Sequence, residues 1–150
     1  MIGSFQINRN QVSIKTDKNT GGISMSMDTT NLMLIQQTVQ YYFDGLYHAD
    51  IEKLKKAFHQ NSQVIGYFQG NFLFETLEQF IEFVRATPAP SRSGEEYDMR
   101  IVSIDMTGNE AVAKVEDLYL GFRFTNYLSL LNVDGNWLIV NKTFYHEPKE

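Results

Sequence analysis

The stretch YDMRIVSIDMTGNEAVAKVEDLYLGFRFTNYLSLLNVDGNWLIVNKTFY, residues 97–145, decides how the rest of the chain must fold. Its apolar and polar residues alternate along four runs, and turn-forming residues separate the runs, which predicts four consecutive antiparallel strands. Thr107-Gly108-Asn109-Glu110 suits a two-residue hairpin. That turn sets Met106, Ile104 and Val102 opposite Ala111, Ala113 and Val115, all apolar and all on one face. The same register carries Arg100 opposite Asp117 and Asp98 opposite Tyr119.

A second turn, at Gly121-Phe122, sets Val115 opposite Leu128 and Ala113 opposite Leu130, and brings Asn126 beside Asp117. The third, Asp134-Gly135, is the strongest hairpin signal in the chain. It places Trp137 and Ile139 on the same face, followed by Asn141, Thr143 and Tyr145. One face of the sheet is therefore apolar at one end and polar at the other. The polar end gathers Arg100, Asp117, Asn126 and Thr143, with Tyr119 and Tyr145 beyond, the arrangement of a pocket mouth. The opposite face carries Ile101, Leu118, Leu120, Tyr127, Leu131, Leu138, Val140 and Phe144 among Lys114, Glu116 and Lys142. So apolar a face predicts a second buried surface, most simply a two-fold homodimer packed sheet to sheet.

Upstream, the patterning becomes helical. Leu32, Ile35, Val39, Tyr42, Phe43 and Leu46 recur at spacings of three and four, one buried helix face, with Asp28 or Thr29 as cap and an end near Tyr47. Asp50 restarts a short helix with Ile51, Leu54 and Phe58 inward and Lys53, Lys55 and Lys56 outward, and His59 to Ser62 reads as a turn. Val64 to Phe68 and Phe72 to Phe74 form a small hairpin about Gly70-Asn71. Thr76 and Gln79 make a capping-box pattern for a third helix with Leu77, Phe80, Ile81 and Val84 as its stripe. Pro88 and Pro90 end that helix in a surface loop. Helices gathered before strands indicate an α+β fold. Residues 1–27 are polar and broken by Gly21-Gly22, so they read as a tail or arm; the alternation Phe5, Ile7, Val12, Ile14 could supply an edge strand. Residues 28–150 read as a single domain.

Composition narrows the function classes. The 11 Phe, 8 Tyr and one Trp fill a core and line apolar pockets. The absence of cysteine excludes disulfides, thiolate metal sites and cysteine nucleophiles. A net charge of −5, without a basic run, argues against nucleic acid. No apolar stretch approaches the roughly 18–20 residues of a membrane span. The N-terminus is polar rather than charged-then-apolar, so a soluble cytoplasmic protein is expected. No phosphate loop, nucleophile elbow or HExxH is present. His48, His59 and His146 are too scattered for a metal site. No metal and no cofactor are expected.

The segments YYFDGLYHADIEKLKKAFHQNSQVIGY, LEQFIEFV, IVSIDMTGNEAVAKVE and FTNYLSLLNVDGNWLIVNKTFYHE together resemble the nuclear transport factor 2-like superfamily. Within it the chain is most similar to the Putative lumazine-binding branch, related to the SnoaL-like proteins, over residues 28–147. The resemblance implies three N-terminal helices packed on a curved, mainly antiparallel sheet in a cone-shaped α+β domain. It also implies a pocket carboxylate, or a His–Asp pair, for proton abstraction next to a carbonyl in those members that are enzymes. The superfamily hosts isomerases, dehydratases, cyclases, small-molecule binders and transport adaptors, so the fold does not choose among them.

Three readings follow. The preferred one is a small-molecule-binding protein, its pocket lined by Tyr42, Tyr67, Tyr119 and Trp137 and closed by Arg100, Asp117 and Asn126, for an apolar or aromatic ligand. The alternative is a cofactor-independent isomerase, cyclase or dehydratase with Asp117 as general base and Tyr119 or Asn126 as hydrogen-bond donor. The weakest is a protein-interaction module. The first two make opposite demands. A binder keeps an intact Arg100–Asp117 pair over an enclosed cavity, whereas an enzyme needs a desolvated Asp117 with a raised pKa and Arg100 turned away.

Overall fold

Two periodicities build the fold: helices with one buried stripe and strands with alternating faces. The computed structural model describes residues 26–148, together with the backbone of three short strands before them: β1 (Gln6–Ile7), β2 (Ile14–Thr16) and β3 (Ile23–Met25). The helices are α1 (Met27–His48), α2 (Ile51–Ala57), α3 (Leu77–Ala86) and the single turn α4 (Pro90–Ser93). The remaining strands are β4 (Phe58–Phe68), β5 (Asn71–Thr76), β6 (Met99–Thr107), β7 (Glu110–Tyr119), β8 (Phe122–Val133) and β9 (Asn136–His146).

Seven strands form one sheet in the order β1-β6-β7-β8-β9-β4-β5. The pairings β1–β6 and β4–β9 are parallel and the rest antiparallel. Gln6 and Ile7 thus add an edge strand beside Ser103 and Ile104, while β2 and β3 make a separate hairpin. Phe5 and Val12 lie outside the described residues.

The predicted stripe of α1 is buried throughout, from Leu32 to Leu46, and so is that of α3. Each fully buried side chain such as Ile35 or Leu128 contributes about 2 kcal/mol of hydrophobic stabilisation. The capping box of Thr76 and Gln79 is formed. The cap of α1 is Ser26 rather than Asp28 or Thr29, its hydroxyl accepting from the Thr29 N–H at 3.1 Å. His59 to Ser62, expected as a turn, continue β4, where Ser62 donates to the carbonyl of Ile139 at 2.6 Å across the parallel pairing. The loop after α3 includes α4, with Ala89 and Pro90 buried. The hairpin between β4 and β5 turns at Gln69-Gly70, both at positive φ, one residue earlier than expected.

The sheet registers depart from the predicted ones in three places, each with a physical cause. Near the β6–β7 turn the pairs Met106–Ala111 and Ile104–Ala113 stand as predicted, but Val102 is an extra residue. Beyond it Ile101 pairs with Val115, Arg100 with Glu116 and Met99 with Asp117. The β7–β8 turn falls at Leu120-Gly121, both at positive φ. Two carboxylate oxygens of Glu95 accept from the Leu120 N–H at 3.0 Å and the Gly121 N–H at 2.7 Å. These bonds support a left-handed leucine that sterics disfavour. Ala113 consequently pairs with Leu128 and Val115 with Asn126, a slip of two that leaves every face unchanged. The Asp134-Gly135 turn forms as predicted, but Val140 is a second bulge residue. Beyond it Lys142, Phe144 and His146 share the inner face in place of Asn141, Thr143 and Tyr145.

Candidate functional site

The inner sheet face becomes polar at the end farthest from the Asp134-Gly135 turn, and there a cavity opens between the sheet, α1 and α3. Its walls are Leu46, Val64, Phe68, Leu73, Phe80, Phe83, Leu120, Phe124 and Phe144, and its polar lining is Glu75, Asp117, Tyr119 and Lys142. The cavity itself holds about 60 Å³, and only with its open mouth does the empty space reach about 550 Å³. It is small against the roughly 300–1,000 Å³ of small-molecule sites, so a ligand of ordinary size would extend into the mouth.

Asp117 stands on the inner face of β7, only 2% exposed. Its Oδ2 accepts from Asn126 Nδ2 at 2.6 Å and from the Tyr42 hydroxyl at 3.3 Å. Burial pushes its carboxyl up from the usual 3.8 to about 6, against the opposing pull of Lys142, Tyr42 and Asn126. Burial, then the charge of Asp117, also raises the hydroxyls of Tyr42 and Tyr119 above the ordinary phenol value, so both are neutral donors. Asn126 is fully buried and its Oδ1 has no hydrogen-bond partner among the described residues.

Lys142 faces the same space from β9. Burial lowers its amine from 10.5 to about 8, although Asp117 and Glu75 both pull it up. Its Nζ lies 4.6 Å from the ring centre of Phe80, 5.0 Å from that of Tyr42 and 5.6 Å from that of Phe144.

Asp117, Asn126, Tyr42 and Tyr119 are therefore brought together as expected, and three other predicted residues are not. Arg100 is exposed on the opposite face, where its Nε donates to Glu116 at 2.9 Å and Nη2 bonds the same carboxylate. The Val102 bulge turned it there, so the expected Arg100–Asp117 pair does not exist. Trp137 is buried on the inner face but at the apolar end. Its indole donates to Asn31 at 3.0 Å and its carbonyl accepts from Thr38 at 2.6 Å, which fastens α1 to β9 away from the cavity. Tyr67 is 54% exposed and rests against Phe72.

Lys142, Phe144 and Leu120, expected on the opposite face, line the cavity. One signal was available for β9: Phe144 two residues after Lys142 puts both on whichever face is apolar. His146 is half-buried among Phe68, Phe122 and Phe124 and accepts from the Gln69 N–H at 2.8 Å. No cluster of three potential metal ligands occurs among the described residues. No helix among them is long and apolar enough to cross a membrane.

This helix-covered sheet with a cavity at its polar end is the nuclear transport factor 2-like architecture. Solved structures of that class superpose closely. A protein of unknown function from Silicibacter pomeroyi matches with a TM-score of 0.73 at 23% identity, covering 81% of this chain and 100% of that one. One from Methylobacillus flagellatus matches with a TM-score of 0.71 at 26% identity, covering 83% of this chain and 97% of that one. The family described as Putative lumazine-binding matches residues 30–145, and the chain belongs to that family. A curated relative, the aldolase FrzH of a Cladobotryum species, is 25% identical over 114 residues, 75% of this chain and 88% of that protein.

Proposed function

We propose that the cavity binds a small apolar carbonyl compound and that Asp117 acts on it as a general base, taking a proton from the carbon next to the carbonyl. The observation that carries this reading is the environment of Asp117. It is desolvated, its carboxyl stands at about 6, and the guanidinium expected to neutralise it is on the other face of the sheet. A base with that pKa is ionised at neutral pH yet basic enough to accept a proton. Its Oδ2 is held by Tyr42 and Asn126. Tyr119, neutral and at the cavity wall, supplies a donor for the oxygen that gains charge. The similarity to an aldolase fits such chemistry, because an aldol reaction passes through the same proton abstraction.

The test is hydrogen exchange in heavy water. Apolar ketones should exchange the hydrogens beside their carbonyl in the presence of the protein, with an acid limb near pH 6, and Asp117→Asn should abolish the effect. Exchange that persists at the wild-type rate in Asp117→Asn overturns the reading.

Binding without catalysis is the second reading. It is favoured by the two hydrogen bonds that already hold Asp117 in place, and a ligand-induced rise in melting temperature without any exchange would support it. On the outer face Val112, Tyr127 and Leu131 are 39%, 48% and 42% exposed, which supports a homodimer through that surface.

A further inference from the structure

We propose that the amine of Lys142 is a nucleophile that condenses with the carbonyl group of an apolar aldehyde or ketone in the cavity, forming an iminium. This rests on the reading of Asp117 as a base acting beside a carbonyl, and assigns the group that holds the carbonyl carbon.

Lysine is rarely buried without a partner, because its ammonium gives up strong hydration and must regain it from acceptors. A lysine buried for structural reasons would donate to carbonyls or pair with a carboxylate. Lys142 is 6% exposed and forms no ion pair among the described residues, whose five salt bridges involve other cations, and the charges of Asp117 and Glu75 act on it from farther off. Its neighbours are the rings of Phe80, Tyr42 and Phe144, and the side chain lines the cavity. The one polar end of this side chain is thus kept available in the space where a ligand would sit.

Burial is what makes a neutral amine accessible. It lowers the group to about 8, although the charges of Asp117 and Glu75 favour the ammonium. At neutral pH on the order of a tenth of the molecules then carry the nucleophilic form. Asp117 stands two strands away on β7, beyond β8, and titrates near neutrality, so it can both give and take a proton.

The steps balance. The lone pair of Nζ attacks the carbonyl carbon, a C–N bond forms, and the carbonyl π pair moves to oxygen, which takes the proton of the acid form of Asp117. The nitrogen loses one proton, the hydroxyl gains one and leaves as water, and the C=N bond forms. In sum, amine, carbonyl and one proton give iminium and water. The Asp117 carboxylate then removes a proton from the adjacent carbon. That C–H pair becomes a C=C bond, and the iminium π pair returns to nitrogen as an enamine. The apolar walls limit water, which would hydrolyse the iminium.

Reductive trapping tests the assignment. The protein is treated near neutral pH with benzylacetone, phenylacetaldehyde or hexanal together with cyanoborohydride, and examined by intact-mass and peptide mass spectrometry. The expected result is a single adduct, heavier than the protein by the probe less one oxygen atom, on Lys142. The exposed Lys55 and Lys56 should react at least tenfold more slowly. Lys142→Met should lose the adduct while keeping the wild-type circular dichroism spectrum, and an Asp117→Asn protein should still be trapped, more slowly. No adduct at Lys142 with any probe, or labelling spread evenly over surface lysines, overturns the proposal. If Lys142→Met still catalyses hydrogen exchange, the Lys142 assignment falls and the Asp117 reading stands. If Lys142 is trapped but Asp117→Asn exchanges at the wild-type rate, the reverse holds.

Discussion

Asn126 holds the carboxylate of Asp117 from the neighbouring strand, its Nδ2 2.6 Å from Oδ2, although the two residues are not a directly opposed pair: Asn126 faces Val115 and Asp117 faces Phe124. The diagonal contact links a buried donor to a buried acid and leaves Asn126 Oδ1 without a partner among the described residues. A position that tolerates an orphaned carbonyl oxygen is there for its amide nitrogen.

Asn126→Leu therefore removes one of the two donors to Asp117 with little change of volume. The carboxyl should rise from about 6 by about one further unit, since a hydrogen bond to the charged form is lost. A carbon-13 titration of the Asp117 carboxyl reads this directly, and a pKa that stays put or falls would contradict the role given to Asn126.

The two shifted groups also shape stability against pH. Asp117 binds its proton more tightly folded, at about 6, than free, at 3.8. Between pH 4 and 6 the folded chain thus holds more protons than the unfolded one, and stability falls as pH rises, by about 3 kcal/mol in all. Lys142 has the opposite sign: folded at about 8 and free at 10.5, it makes stability rise over that upper interval. Urea midpoints of Asp117→Asn should lose the lower slope relative to wild type. They should also begin the upper rise at lower pH, because Lys142 loses the carboxylate that favours its charge. Parallel wild-type and variant curves from pH 4 to 6 would rule this out.

Gly66 of β4 pairs with Phe144 of β9, whose side chain is part of the cavity wall. A Cβ there would stand 2.3 Å from the Phe144 carbonyl oxygen and 2.7 Å from its ring. Backbone cannot yield as a side chain can, so Gly66→Ala should cost about 3 kcal/mol and displace Phe144. Chemical denaturation measures the loss; a change under about 1 kcal/mol would mean that the parallel β4–β9 pairing slides freely.

On the outer face, Tyr127→Glu should leave the melting temperature within a few degrees of wild type. If that face joins two copies, it should also convert a dimer to a monomer in sedimentation. A wild-type chain that sediments as a monomer at every concentration removes the homodimer from consideration.

What reading the sequence could reach follows from how local each signal is. The stripes of α1 and α3, the capping box and the Asp134-Gly135 turn depend on residues within one or two turns of each other, and all are found. The slip at Leu120-Gly121 was hidden because the residue that supports it, Glu95, lies far away in sequence. That slip did no harm, because two residues bring the same side chains back to the same face. The bulges at Val102 and Val140 did change the site. Both are β-branched residues in ordinary strand contexts, and nothing nearby marks either as an extra residue. One turned Arg100 outward and the other turned Lys142 inward, so the site contained a cation as expected, but a different one.

The placement of the Val140 bulge has a consequence for how such proteins diverge. It lies between the half of β9 that packs under the helices and the half whose Lys142 and Phe144 line the cavity. A one-residue insertion or deletion there exchanges the side chains offered to the cavity and leaves the packed half alone. A lineage can thus replace its pocket chemistry in one genetic step without first losing the ability to fold.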